Sequence, residues 1–222
     1  CTFCVVPYTR GRERSRNPES IINECQQLFN SGYREVTLLG QNVDSYLWYG
    51  GGPKKDFKKA SLEQKEKAIS FANLLQMVAK VNSKLRVRFS TSNPQDMSDD
   101  VISIMSEYQN ICNYIHLPVQ SGSSRILKLM NRGYNREEYI SLIDRIKTKI
   151  PDCAISMDMI TGFCTENDND HQETISLMRY VKYDYGYMFK YSERPNTAAE
   201  KKYNDDVEEE IKQKRLVEII NL

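Results

Sequence analysis

The chain has 222 residues, 40% hydrophobic and 27% charged, with a formal net charge of +1 at pH 7. That balance predicts a soluble globular protein of one large or two small domains. It argues against a membrane-spanning chain, since no apolar run approaches the roughly 20 residues a spanning helix needs, and against nucleic-acid binding through a global positive field. Any nucleic-acid partner has to be held by local basic patches or by further domains. Six cysteines, at positions 1, 4, 25, 112, 153 and 164, do not have the spacing of a secreted disulfide framework. With no signal-peptide pattern they predict reduced thiols in a cytoplasmic protein, with Cys25, Cys112 and Cys153 as small buried apolar residues.

The chain opens on Cys1-Thr-Phe-Cys4, followed by Pro7 and by arginines at 10, 12, 14 and 16. Two thiols three positions apart share one tight loop and can hold a metal or cluster, form half a zinc site, or act as a redox pair. Asn17-Pro18 reads as a helix start, with Asn17 as cap and Pro18 at the first helical position. Ile21, Ile22, Cys25, Leu28 and Phe29 then recur on one face, and Gly32 ends the helix. Residues 35–39 are a short buried strand. Residues 46–67, with three glycines and a run of lysines, read as a flexible polar insertion that is either a solvated loop or an RNA-phosphate contact. A helix follows over 69–81, a strand over 86–91, and a helix capped by Ser98. Residues 114–119 form a strand ending in Gln120-Ser-Gly-Ser123. Two helices follow, 123–131 and 135–150, the second with Asn135 and Glu138 in capping-box register. A strand over 154–160, a helix over 169–183, a strand over 187–191 and a charged amphipathic helix over 205–222 complete the chain. Strands alternating with helices predict an α/β fold, a parallel sheet curved inside a layer of helices.

Cys-Thr-Phe-Cys-Val-Val-Pro-Tyr-Thr-Arg-Gly-x-Glu-x-Ser-Arg resembles the cluster loop of the radical SAM methylthiotransferases, most of all the branch that modifies transfer RNA at the isopentenylated adenosine beside the anticodon. The family loop reads CxxxCxxC. This chain therefore looks cut inside the motif, with the third cysteine expected four residues before Cys1. The resemblance covers essentially the whole chain. It implies a partial (βα)6 TIM-like barrel over residues 1–204, whose first strand lies upstream, and a helix over 205–222 leading toward an RNA-binding domain. By the same resemblance three thiolates hold a [4Fe-4S] cluster, soft ligands suiting iron and sulfur. The open iron chelates S-adenosylmethionine, whose reductive cleavage yields a 5′-deoxyadenosyl radical.

The resemblance also assigns residues. Cys1 and Cys4 are the cluster ligands. Phe3 packs near the adenine or fills the loop. Gln41 and Asn42, at the end of the second strand, sit where related enzymes meet the methionyl amino group, or are turn amides. Thr91 ends the next strand. Gln120 is placed on the cofactor ribose and Arg132 on the methionyl carboxylate, a geometry a guanidinium fork suits. Asp158, a carboxylate inside an apolar strand, is costly unless paired, and ribose hydroxyls pair it in the family. Met188 to Tyr191 line the adenine or the target base. Arg10, Lys190 and Arg194 are candidates for RNA contact. His116 reads as a hydrogen-bonded core histidine. Two departures stand out. Gly162-Phe-Cys-Thr-Glu-Asn167 replaces the family's Gly-Phe-Pro-Gly-Glu-Thr, which predicts a differently shaped loop. Asn196 stands where glycine is usual, a mild change because Asn tolerates the left-handed region.

The implied activity is methylthiolation of C2 of N6-isopentenyladenosine in tRNA, using two molecules of S-adenosylmethionine. It brings an auxiliary [4Fe-4S] cluster on an N-terminal domain, a reductant such as flavodoxin or ferredoxin, and a monomeric enzyme. The rival readings are the sister branch that methylthiolates a ribosomal-protein aspartate, and a CxxC redox or metal-binding domain without radical chemistry. Val5-Val-Pro-Tyr-Thr-Arg10 and Leu38-Leu-Gly-Gln-Asn-Val43 favour the tRNA branch.

Overall fold

The computed structural model describes residues 1–11, 13–90 and 92–222. In chain order the elements are α1 (Val6–Arg10), α2 (Pro18–Asn30), β1 (Glu35–Leu39), β2 (Leu47–Trp48), α3 (Leu62–Glu66), β3 (Ile69–Ser70), α4 (Phe71–Ala79), β4 (Arg86–Ser90) and α5 (Asp99–Glu107). Then come β5 (Tyr114–His116), α6 (Ser124–Leu129), α7 (Arg136–Lys149), β6 (Ala154–Thr161), α8 (Asp168–Val181), β7 (Tyr185–Lys190), α9 (Ala198–Lys202) and α10 (Glu209–Ile220). The chain divides into two compact units, one of residues 1–11, 117–145 and 154–222, the other of residues 12–116 and 146–153. Among the described residues no helix is long and apolar enough to cross a membrane.

In the unit of residues 12–116 and 146–153, β1 and β4 pair in parallel, with Val36 opposite Val87 and Leu38 opposite Phe89. α2 starts as its sequence predicts: the Asn17 side chain accepts from the amides of Glu19 (2.8 Å) and Ser20 (3.4 Å), and Pro18 takes the first helical position. α4 packs against α2, α5 and β4. Leu75, Val78, Leu85 and Val87 are fully buried there, and the Phe71 and Phe89 rings meet edge to face at 5.3 Å. Burial of this kind stabilises by roughly 1.5–3 kcal/mol per large side chain. The expected helix over 69–81 is shorter, because Ile69–Ser70 pairs antiparallel with Leu47–Trp48 and Ser70 caps α4 through Asn73.

The insertion is ordered, contrary to expectation. The β2–β3 pair closes its base. Pro53 leads into a 3₁₀ helix, Lys54–Lys59, and Ser61 and Gln64 form a reciprocal capping box on α3. Cys25 and Cys153 are buried as predicted, whereas Cys112 is only half-buried and lies 3.6 Å from an Arg86 guanidinium nitrogen.

In the other unit β6 and β7 pair in parallel, Asp158 opposite Tyr187 and Met159 opposite Met188. Residues 117–120 run alongside β6 as extended backbone: Leu117 N donates to Ser156 O (2.8 Å), Gln120 N to Asp158 O (2.9 Å), and Ile160 N to Gln120 O (2.9 Å). Ile126, Met130, Phe163, Cys164, Tyr191 and Ala199 form a buried cluster. α7 opens on the predicted capping box, with Asn135 and Glu138 exchanging backbone-to-side-chain bonds of 2.8 Å. α10 packs on β6 and β7. It is fastened by buried Arg215, which bonds Glu166 (3.1 Å) and Asp168 (2.7 Å), and by buried Lys212 on Asp205 (2.5 Å). Burial pushes the Glu166 carboxyl up to about 7, against the pull of the Gly162 amide and Arg215.

Candidate functional site

The cysteine loop is held from its middle. Buried Thr2 donates its amide to Met130 O (2.9 Å) and its hydroxyl to Leu129 O (3.0 Å), and its carbonyl accepts from Ala199 N (2.8 Å). These bonds satisfy the last carbonyls of α6 and fix the backbone between the two thiols. Cys1 is exposed and Cys4 half-buried, both free thiols. Phe3 sits edge to face on Phe163 at 6.2 Å and packs on the buried cluster, so its side chain serves the loop's anchorage.

Arg132 faces the loop. Its Nη1 donates to Cys1 Sγ (2.8 Å), its Nη2 to Pro118 O (2.8 Å) and its Nε to the Tyr134 hydroxyl (2.9 Å). A buried guanidinium with every edge engaged is held in one orientation. The resemblance placed Arg132 on the methionyl carboxylate; in this structure it meets the cysteine loop.

Gln120 is buried and has φ 78, the left-handed region that a non-glycine residue enters at a cost. The residues after it explain how that turn is imposed. Gly122 lies so close to α8 that a Cβ there would come within 2.4 Å of Thr174 Cα and 2.6 Å of Glu173 O. Its amide donates to Thr174 Oγ1 (2.9 Å), and Ser123 Oγ donates to Asp170 Oδ1 (2.7 Å) while capping α6. Asp170 is pulled up by burial, but hydrogen bonds from Arg125, the Asn167 amide and Ser123 hold it below the ordinary carboxylate range.

Asp158 lies mid-strand in β6, half-buried, with Gln120 donating to its carbonyl. Paired residues of a parallel ladder share a face, so Tyr187 stands beside Asp158 and Phe189 beside Ile160. Tyr185, Tyr187 and Phe189 are 48%, 56% and 52% exposed, an open aromatic row on the face of Asp158. Met188 is on the opposite face, with Met159, so the structure separates it from Asp158. Of this row the resemblance assigns only Phe189, although Tyr-x-Tyr-x-Phe at period two is a signal for all three. Lys190 is engaged by Glu209. Arg10, in the last turn of α1, and Arg194 are exposed.

In the second unit Gln41 is exposed. Asn42 donates from Nδ2 to Asp96 Oδ2 (2.6 Å), while its Oδ1 is buried without a partner. Buried Asp44 accepts from Ser92 Oγ (3.2 Å) through one oxygen, and its other oxygen is unpartnered. Burial pushes its carboxyl up to about 7, with Asp96 adding to the shift. Thr91 lies outside the described residues.

The loop in Gly162-Phe-Cys-Thr-Glu-Asn keeps a left-handed turn at Thr165, φ 65. A β-branched residue there is strained. The conformation is held by Arg125, which donates to Thr165 O (2.6 Å) and Oγ1 (3.0 Å), and by Asp206, which accepts from the Thr165 amide (2.6 Å). Asn196 has φ 66, as its side chain tolerates.

The sequence profile of the Radical SAM superfamily matches residues 1–178. The chain belongs to the radical SAM superfamily. Membership implies a [4Fe-4S] cluster and S-adenosylmethionine. Cys1 and Cys4, soft and accessible on a braced loop, suit a cluster as two of its ligands. Among the described residues no group of three or more Cys, His, Asp or Glu side chains forms a metal site.

Two solved structures share the fold. Coproporphyrinogen III oxidase from Escherichia coli matches 92% of this chain and 45% of its own at TM-score 0.57 and 18% identity. Methylornithine synthase matches 100% and 58%, at TM-score 0.55 and 15% identity. Like them the chain is α/β with parallel strand pairing. Curated proteins named tRNA-2-methylthio-N(6)-dimethylallyladenosine synthase are more similar in sequence: 67% identical in Christiangramia forsetii, 63% in Flavobacterium johnsoniae and 60% in Karelsulcia muelleri, each over the whole chain. The chain spans about half the length of these relatives, 46% to 49%.

Proposed function

We propose that this chain is the radical SAM core of a tRNA methylthiotransferase that places a methylthio group on C2 of N6-isopentenyladenosine beside the anticodon. The observation that carries the reading is 67% identity, over every residue of the chain, to a synthase of that name. When bound, the cluster and S-adenosylmethionine supply the radical that removes the C2 hydrogen and the methyl group that is transferred.

The chain's own residues bind and position. Cys1 and Cys4 ligate, with Thr2 bracing the loop and Arg132 orienting Cys1. By the resemblance Asp158 and Gln120 take the cofactor ribose, Gln41 and Asn42 meet its methionyl amino group, Arg132 its carboxylate, and Thr91 is a further cofactor contact. Tyr187 and Phe189, exposed beside Asp158, offer π-faces on which an extruded base can stack. Met188 supports this strand from behind. Arg10 and Arg194 are free to meet phosphate, and Lys190 does so only by leaving Glu209. The auxiliary cluster belongs to an N-terminal domain of the full-length protein and RNA binding to a C-terminal one. The enzyme works as a cytoplasmic monomer and draws electrons from a flavodoxin or ferredoxin. Nothing in the chain favours the aspartate-modifying branch.

The test is spectroscopic. The full-length protein is reconstituted anaerobically with iron and sulfide, reduced, and its electron paramagnetic resonance recorded with and without S-adenosylmethionine. It is then turned over with tRNA bearing isopentenyladenosine, and the nucleosides are analysed by mass. A [4Fe-4S] signal that shifts with the cofactor, and a methylthio nucleoside, are expected. Bound zinc, or no cluster, returns the chain to the redox or structural class.

A further inference from the structure

The ordered insertion presents a fixed row of cations. Residues 54–67 carry six lysines against three carboxylates, in a chain whose net charge is only +1. The 3₁₀ helix Lys54–Lys59 turns every three residues, which puts Lys54 and Phe57 on one edge, Lys55 and Lys58 on another, and Asp56 and Lys59 on the third. The first edge faces inward. Phe57 packs on buried Tyr49 with ring centroids 5.2 Å apart, and the Tyr49 hydroxyl donates to Pro53 O (2.8 Å). Lys54 Nζ binds Asp96 (3.1 Å), the carboxylate that also holds Asn42.

With that edge fixed, Lys55, Lys58 and Lys59 are turned to solvent. Among the described residues no carboxylate lies within ion-pair distance of these three. Of the other lysines, Lys67 pairs with Glu63 (2.7 Å), and Lys65 donates to Lys58 O (3.1 Å). Lys55 and Lys58 rise about 6 Å apart along the helix axis, a step of the order of that between successive phosphates of a strand. Lysine is a point charge that suits phosphate without base readout.

We infer that the exposed lysines Lys55, Lys58 and Lys59 make a docking surface for the RNA phosphate backbone. It rests on the reading of the chain as a tRNA-modifying enzyme. It adds a sequence-independent contact, made by the radical SAM core itself, to whatever further domains bind.

The test uses the full-length protein and an unmodified tRNA transcript, with affinity measured across a salt series. The variant Lys55→Gln/Lys58→Gln/Lys59→Gln, whose changes are all on exposed side chains, is expected to bind at least ~5-fold more weakly. Its log-affinity against log-salt slope should be shallower by about two. Lys67→Gln, a cation already paired inside the insertion, is the control and is expected to keep the wild-type slope. Wild-type binding with an unchanged slope in the triple variant overturns the docking surface and leaves the enzymatic reading intact. Equal weakening in the triple variant and in Lys67→Gln overturns it as well, showing only diffuse charge. Failure of the wild-type protein to bind the transcript overturns this inference as well, whereas the tRNA reading stands or falls with the nucleoside analysis.

Discussion

The Cys1 thiol lies 2.8 Å from a guanidinium nitrogen of Arg132, although 131 positions separate the two residues. Arg132 spends its other edges on Pro118 O and Tyr134, so it delivers a fixed positive charge to one end of the cysteine loop. Arg132→Met in the full-length protein is expected to retain about half the iron of wild type, or less, after reconstitution and desalting. Arg132→Lys keeps the charge but not the three-way fork and should fall between. Wild-type iron content in Arg132→Met would rule out this positioning role.

Asp158 takes part in the sheet through its backbone, and its place in the register puts its side chain on the same face as Tyr187. Asp158→Asn is expected to weaken S-adenosylmethionine binding about tenfold, the scale of a hydrogen bond to a charged group, with iron content and folding unchanged. Isothermal titration of the reconstituted protein reads the affinity. An unaltered dissociation constant would sink the ribose assignment.

Thr165 sits in the left-handed region under the hold of Arg125 and Asp206. Thr165→Asn puts a residue at ease with that conformation and is expected to raise stability by ~0.5–1 kcal/mol. Thr165→Val keeps the branched Cβ, loses the hydroxyl that Arg125 engages, and should lower it. Urea midpoints of the pair decide the matter, and a reversed order contradicts the strain.

Asp44 is the place to look for pH dependence. Its carboxyl stands at 3.8 when unburied and at about 7 in the fold, raised by burial. A group raised in this way binds its proton more tightly folded than unfolded. Its contribution is therefore complete below the unfolded value and is lost as pH rises through about 7. That loss is at most ~4 kcal/mol. Asp44→Asn is expected to flatten the decline in urea midpoint between pH 5 and 8. A decline as steep as wild type would place the titration elsewhere, with Glu166 the next group to substitute.

What could be read in the sequence was local chemistry. Asn17 with Pro18, and Asn135 with Glu138, cap helices because their partners lie within three residues. The family motif at Cys1 and Cys4 led to the superfamily, and Glu35–Leu39 is a strand as expected, although not a buried one, since only Val36 is buried and Leu39 is exposed. What could not be read depended on distant partners. Met188 and Tyr187 are adjacent in sequence, and only the register against β6 decides which shares a face with Asp158. The φ of Thr165 is set by Arg125 and Asp206, each about 40 positions away. The insertion read as flexible because the Tyr49–Phe57 contact and the Lys54–Asp96 pair leave no periodic signal.

The bracing of Thr2 also sets an order of events on the ribosome. The thiols at the start of this sequence gain their scaffold only when residues 129, 130 and 199 have been made. At roughly 5–20 residues per second the last of these follows Thr2 by about 10–40 s. Through that interval Cys1 and Cys4 are on a nascent chain without the bonds that later space them. The loop therefore gains the bonds that brace it only once residue 199 is in place.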